Sequence, residues 1–301
     1  MTGTLAKLFE DVAAGRGLGP PVDRQAIDGV RADLAAHLDA LGGQIPLGAP
    51  PLVLTKARIR NVLACEAGAL ASDAVASEMS YSLVLGNLVD RVATAFVVTG
   101  AVPDDPFASA IESLRAERDE RCLAWLDAAP PDETADLRHE LAERAVRIAE
   151  SWPPVDGQWW PRIEDRATIA FAGGRLLLSG RFDLVVGGRH TPLERVIVEL
   201  KGGLATGAHQ PDLYWYALLG ALRDQTAPRV VAVWSAGDGT VVTAPISAGS
   251  LESAARRVVA AATRWVELGL GREAEVTGHQ GCRWCPALSN CTIGQAWSPD
   301  E

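Results

Sequence analysis

Apolar residues recur at helical spacing over residues 5 to 40, broken at Gly15 to Pro21, and a polar stretch with glycine and proline (42 to 51) closes this segment. The spacing predicts a helical N-terminal region over 1–54. A helix from Thr55 to about Ala71 and a longer one from about Ser77 to Val98 are expected next, and helical spacing resumes between Asp104 and Glu150. After Trp159 and Trp160 the period changes to that of extended chain. Strands are expected at Ala167–Ala172, Leu176–Val186 and Val196–Lys201, followed by a helix from His209 to Arg223, strands Val230–Trp234 and Val241–Ile246, and a long helix from Leu251 to Leu268. The chain therefore reads as α/β, with helix, three strands, helix and strand in its middle and a helical insertion at 104–150.

Composition narrows the classes. With 301 residues, 48% hydrophobic and 22% charged, the chain has enough apolar surface for a substantial core. Lys7, Glu10 and Asp11 interrupt the N-terminal apolar residues, so neither a signal peptide nor a membrane anchor is expected there, and a cytoplasmic location is. The net charge of −10 argues against a uniformly basic surface gripping nucleic acid; such binding needs a local patch. Thirteen acids against six arginines between Asp104 and Glu150 concentrate the negative charge on what reads as a solvated helical pair. Only three cationic side chains are lysines (Lys7, Lys56 and Lys201), which makes each lysine a question. Lys56, Arg58 and Arg60 offer one candidate basic patch.

The chemistry concentrates on two constellations. In Val196–Lys201, period-two alternation puts Glu199 and Lys201 on one face, and the preceding strand carries Asp183 among apolar neighbours, where it needs a cation. A lysine kept where the chain otherwise writes arginine suits a compact charge that orients or deprotonates a water. The second constellation is Cys282-x2-Cys285-x5-Cys291, three thiols in ten residues lacking a local fourth ligand, with Cys65 and Cys122 elsewhere. Soft sulfur donors select zinc or an iron–sulfur cluster. Cys122 reads as a small buried hydrophobe. Trp159, Trp160 and Trp284 read as core or cluster-shielding residues that could also stack on bases.

Gly86 to Asp90, Gly180 to Asp183, Glu199 to Lys201 and Gln210 to Tyr214 stand in the order of the motifs G-x-x-x-H, G-x-x-D, D/E-x-K and Q-x-x-x-Y. In this the chain resembles the PD-(D/E)XK nuclease superfamily, in particular its RecB-like branch, with Asp90 where that family has histidine and without the proline that names the superfamily. The resemblance covers roughly 55–295, with the insertion 104–150 and the cysteine motif 282–291 inside it. It implies a restriction-endonuclease-like core and a divalent-metal-dependent DNA nuclease, with exonuclease action on ends or single strands. It assigns Asp90, Asp183 and Glu199 as ligands of Mg²⁺ or Mn²⁺, Lys201 as the residue that orients water, Gln210 and Tyr214 as contacts to substrate or supports of Lys201, and Glu164 as an upstream acid. Cluster-bearing relatives of the AddAB and CRISPR-associated exonuclease types further imply a 4Fe-4S cluster on Cys65, Cys282, Cys285 and Cys291, with zinc as the alternative metal. DNA is the implied partner, together with a separate helicase or nuclease, and no membrane. Competing expectations are a non-catalytic, cluster-containing DNA-binding or helicase-partner subunit, and a protein whose cluster redox state is itself the signal.

Overall fold

The computed structural model describes residues 2–16, 19–75, 78–153, 155–188, 190–191, 193–204 and 209–297. In chain order these form β1 (Thr2–Gly3), α1 (Leu5–Ala13), α2 (Arg24–Gly42), β2 (Leu52–Leu54), α3 (Lys56–Ala64), α4 (Glu66–Ala74), α5 (Tyr81–Thr99), α6 (Pro106–Glu117), α7 (Glu120–Ala128) and α8 (Pro131–Ser151). The sheet-forming half follows with β3 (Arg162–Phe171), β4 (Leu176–Val186), β5 (Val196–Lys201), α9 (Gln210–Asp224), β6 (Val230–Ser235), β7 (Val241–Pro245), α10 (Ala248–Gly269) and α11 (Thr292–Trp297). The mixed sheet has the order β1-β7-β6-β5-β4-β2, with β3 antiparallel against β4.

Two hydrophobic cores sandwich this sheet. One gathers Leu34 and Leu38 of α2, Val62 of α3, Leu218 and Leu219 of α9, and Val258 and Ala262 of α10. The other gathers Phe9 of α1, Leu88 and Val92 of α5, Leu114 of α6, and Leu137 and Leu141 of α8. The strands between them are apolar on both faces, as sheets covered on both sides require. The N-terminal helices thus belong to both cores, and β1 extends the sheet edge. By length and composition α5 is apolar enough to cross a bilayer, yet it carries Asp90 and Arg91 mid-helix and buries Val84, Leu88, Val92 and Phe96 in the second core.

Element types agree with the pattern, with four informative differences. The helical pair expected over 104–150 is three helices, α6, α7 and α8, whose Leu114, Cys122, Leu137 and Leu141 are buried in the second core. The helix expected over Thr55–Ala71 is two helices, because Cys65 takes an extended conformation (φ −159°, ψ 119°) and is at once the end of α3 and the N-cap of α4. The helix expected from Ser77 starts at Tyr81, where Ser80 caps Leu83; Ser77 itself, like part of the Gly15–Pro21 break, lies outside the described residues. Strand β3 begins five residues early, at Arg162, and so takes in Glu164.

Candidate active site

Strands β4 and β5 pair only through Leu184↔Val198, Val185↔Ile197 and Val186↔Val196, after which their ladder stops and they fork. Continued register would set Asp183 opposite Glu199. On the other side, the pairs Ile163↔Leu184 and Asp165↔Phe182 set Glu164 opposite Asp183. Three acids thus share one row across three strands. The row is also where inside–outside alternation reverses: Leu176, Leu178 and Phe182 face the α9 core, while Leu184 and Val186 face the α5 core. Glu164 sits in the left-handed region (φ 51°), a costly conformation for a residue with a Cβ. At the fork, Asp183 Oδ2 takes the place of a backbone acceptor and receives the Leu200 N–H at 2.7 Å.

Asp90 reaches the fork from the opposite face, on α5. A Cβ built on Gly202, just past Lys201, would lie 3.4 Å from the Gly86 Cα, which sets the end of β5 against α5; a Cβ on Gly86 itself would meet nothing within 4 Å, so that glycine is not what permits the approach. Asp90 lies one turn beyond Gly86, and α9 closes over Gly180, whose Cβ would sit 2.7 Å from Leu219 Cδ2.

Glu199 is 4% exposed. Its Oε1 accepts from two ammonium groups, Lys201 Nζ at 2.6 Å and Lys56 Nζ at 2.5 Å. Its Oε2 is buried without a close hydrogen-bond partner, and the carboxylate also takes up the Tyr216 side chain, whose hydroxyl pKa it helps to raise. Lys56 also lies 4.0 Å from Asp212 Oδ2 and 4.9 Å from the centre of the Tyr216 ring. Burial would raise the Glu199 carboxyl, but Lys56 and Lys201 overcome it and hold it below its usual range. For Asp90 burial wins: helped by the charges of Glu199 and Glu164 and opposed by Arg181 and Arg91, it pushes the carboxyl up to about 7. Asp183 is raised well above its usual range by burial and by the charges of Glu199 and Asp90. Burial favours a neutral Lys201, but Glu199, Asp183 and Asp212 reverse this and raise its pKa, so in this arrangement it is a fixed cation, not a base. Mutual influence among Asp90, Asp183, Glu199 and Lys201 brings together the four residues that the motifs singled out.

Glu164 is bracketed by Arg91 and Arg181, each at 3.0 Å. Gln210 Nε2 donates to the Tyr214 hydroxyl at 3.0 Å on the exposed side of α9. The inward line of that helix is Asp212 and Tyr216, which sequence reasoning passed over; 100° per residue puts them half a turn from Gln210 and Tyr214. Lys56 was visible only as one of three lysines and as part of a candidate basic patch. Arg58 is committed elsewhere, to the Val53 carbonyl, Asp73 and the face of Trp265.

The cysteines fall into two places. Cys122 is fully buried in the α5–α8 core, where burial raises its thiol pKa. Cys65, Cys282, Cys285 and Cys291 line one cavity of about 300 Å³ together with Gly68 and His279. Backbone N–H groups of Gly68 and Thr277 point at Cys65 Sγ (both 3.4 Å), that of His279 at Cys282 Sγ (3.3 Å) and that of Gly294 at Cys291 Sγ (3.2 Å). Next to Cys65, the buried Glu66 receives Arg272 through both terminal guanidinium nitrogens (2.9 and 2.7 Å) and the Glu275 N–H (2.9 Å), tying α4 to the segment after α10. Of the tryptophans, Trp159 packs edge-on against Phe9, whereas Trp160 and Trp284 are exposed, the latter beneath Arg283.

The oxygens a divalent metal could use here are the buried Glu199 Oε2, the second oxygen of Asp183, and Asp90. These fit Mg²⁺ or Mn²⁺ in chemistry and sign. Among the described residues no three acidic, histidine or cysteine side chains stand close enough to hold one ion between them. Glu199 is instead engaged by its two lysines.

A central mixed sheet flanked by helices on both faces is consistent with a restriction-endonuclease-like fold. Residues 55–292 match the PD-(D/E)XK nuclease superfamily, and the chain belongs to it. Membership marks it as a nuclease-type protein whose relatives act on nucleic acid and typically use divalent metals. Among solved structures the chain is similar to that of SSO0001, at 13% identity and a TM-score of 0.32 over 73% of this chain and 89% of the other. No curated protein matches it.

Proposed function

We propose that this protein is a divalent-metal-dependent DNA nuclease acting on ends or single strands, with Asp90, Asp183 and Glu199 as metal ligands. The observation that carries the reading is the meeting of these acids and Lys201 at the strand fork, with a buried Glu199 oxygen left without a partner. A bound Mg²⁺ or Mn²⁺ would polarise the scissile phosphate and lower the pKa of a bound water. The chain's own side chains prepare for this. Burial and mutual repulsion leave Asp90 and Asp183 under-compensated in negative charge, a state a dication relieves. Lys201 supplies a fixed positive charge beside Glu199 that orients the attacking water and faces the developing phosphate charge. The deeply set site between helices suits a single strand threaded in better than a duplex gripped over an acidic surface.

The second part of the proposal is a 4Fe-4S cluster on Cys65, Cys282, Cys285 and Cys291 that staples the two ends of the domain. The four cysteines line one cavity of about 300 Å³, and backbone N–H groups point at three of the sulfurs, which favours thiolates. A single zinc ion, with sulfurs about 2.3 Å away, would leave most of that space empty.

A non-catalytic DNA-binding or helicase-partner subunit is the second reading. It is favoured by Asp90 in place of the family histidine and by the engagement of Glu199 with two lysines. Incubation of purified protein with labelled single-stranded and duplex DNA, with Mg²⁺, Mn²⁺ or chelator, separates the two. The nuclease reading expects metal-dependent cleavage that is lost in Asp183→Ala and Lys201→Ala. Cleavage that survives both substitutions removes the assigned site, and metal-dependent binding without cleavage selects the second reading.

A further inference from the structure

Resting on that metal-site reading, we propose that Lys56 is a resident cation that occupies the dication's electrostatic place at Glu199 in the metal-free protein and withdraws to Asp212 when the metal enters. Lys56 is a positioning residue that sets how much divalent metal the site demands.

Five observations carry this. Lys56 Nζ stands 2.5 Å from Glu199 Oε1, although Lys201 already holds the same oxygen at 2.6 Å. One carboxylate oxygen thus carries two ammonium groups while its neighbour, Oε2, is buried with none. A second acid lies within a short movement, since Asp212 Oδ2 is 4.0 Å from the same Nζ. Lys56 is also the first residue of α3, capped by Thr55, so its backbone is fixed while four side-chain torsions remain available for the transfer. The Tyr216 ring, 4.9 Å away, forms the floor over which the ammonium would pass.

The physical consequence is competition. A dication joining Glu199 meets like charge from an ammonium in contact with its own ligand, and that repulsion opposes binding unless the ammonium moves. Lys201 cannot yield in the same way, because it shares strand β5 with Glu199 and lies beside it on one face.

The test is Mn²⁺ binding by isothermal titration calorimetry to metal-stripped full-length protein, without DNA, with thermal denaturation in chelator and in Mn²⁺ as a second readout. Lys56→Gln is expected to bind Mn²⁺ about tenfold tighter than wild type, or roughly 1.4 kcal/mol, and to gain more in melting temperature on adding Mn²⁺. Lys56→Arg, which keeps the charge, is expected to stay within about threefold of wild type. Asp212→Asn, which removes the alternative partner but leaves Lys56 intact, is expected to bind Mn²⁺ more weakly, and the same substitution in the Lys56→Gln background is expected to have a smaller effect. This variant carries the test independently should Lys56→Gln fail to fold. Unchanged or weaker Mn²⁺ affinity in Lys56→Gln, unchanged or tighter Mn²⁺ affinity in Asp212→Asn, or an Asp212→Asn effect that is the same in both backgrounds, overturns the proposal. Wild-type Mn²⁺ affinity in Glu199→Gln overturns the metal-site reading beneath it, a failure distinct from that of Lys56 alone.

Discussion

Replacing Asp90 with asparagine is expected to stabilise the metal-free protein while damaging its metal site. Asp90 is half-buried, and its carboxyl is pushed from the ordinary 3.8 to about 7 by burial and by Glu199 and Glu164, against Arg181 and Arg91. A step of that size corresponds to about 4 kcal/mol held against the ionised form at high pH. Asp183 shares the same crowding and neighbouring groups relax, so the recoverable part is roughly 1–3 kcal/mol, or about 2–6 °C in melting temperature for a chain of this length. The arginines do not lose their footing, because Arg91 keeps Glu117 at 2.7 Å and Glu164 at 3.0 Å, and Arg181 keeps Glu164 at 3.0 Å. A carboxyl whose pKa is raised by folding costs stability progressively as pH climbs from its unfolded value to its folded one, because over that range the unfolded chain releases the proton that the folded chain keeps. The gain should therefore be absent near pH 3.8, grow as pH rises through about 7, and hold constant above that. Thermal denaturation of wild type and Asp90→Asn in chelator, at about pH 5 and about pH 8, measures it. With Mn²⁺ added the order should reverse, since only wild type keeps the full ligand set. An Asp90→Asn protein that melts lower than wild type in chelator at the higher pH, or whose advantage shrinks as pH rises, would refute the reasoning.

Other outcomes follow from the same structure. Arg272 is the main cause of the lowered Glu66 carboxyl, opposed by burial and reinforced by the Glu275 N–H and Arg264. The stability this gives is present above the ordinary value of 4.5 and lost as pH falls through the lowered one, so Glu66→Gln should melt lower than wild type at neutral pH and the difference should close in acid. Gly180→Ala would drive Leu219 out of its packed position and cost about 1–3 kcal/mol in denaturant titrations. Anaerobically purified protein should be brown with a broad visible absorbance that Cys65→Ser or Cys285→Ser removes and Cys122→Ser leaves intact; loss of colour in Cys122→Ser alone would overturn the cysteine assignment.

Much of this architecture is legible in the chain. The run Val196–Lys201 is apolar up to its two charged residues, and β5 has those same bounds. Helix α9 and the strands after it lie within a residue or so of the turn signals that predict them. Strands β1 and β2, of two and three residues, are too short to display a period at all. The break at Cys65 is invisible to helical spacing, because cysteine is no helix breaker, and the extended backbone there and the Thr277 N–H at its sulfur are tertiary features. The site was readable where motifs are local and silent where partners are remote. Asp183, Glu199 and Lys201 announce themselves within their strands, whereas the Lys56–Glu199 pair spans 143 positions and no nearby pattern encodes it. The scarcity of lysine was the one available hint. Glu164 reads as an ordinary surface acid until the register sets it against Asp183 and its backbone proves to be left-handed.

Helix α3 has nine residues, roughly 13 Å of rigid rod, with the ammonium that grips Glu199 at its first position and Cys65 immediately after its last. A shift of the thiol-lined chamber at one tip would move the backbone from which Lys56 reaches at the other, with the lysine's torsions free to absorb part of it. A replacement that resizes the sulfur chamber is therefore best assayed at the acid row as well.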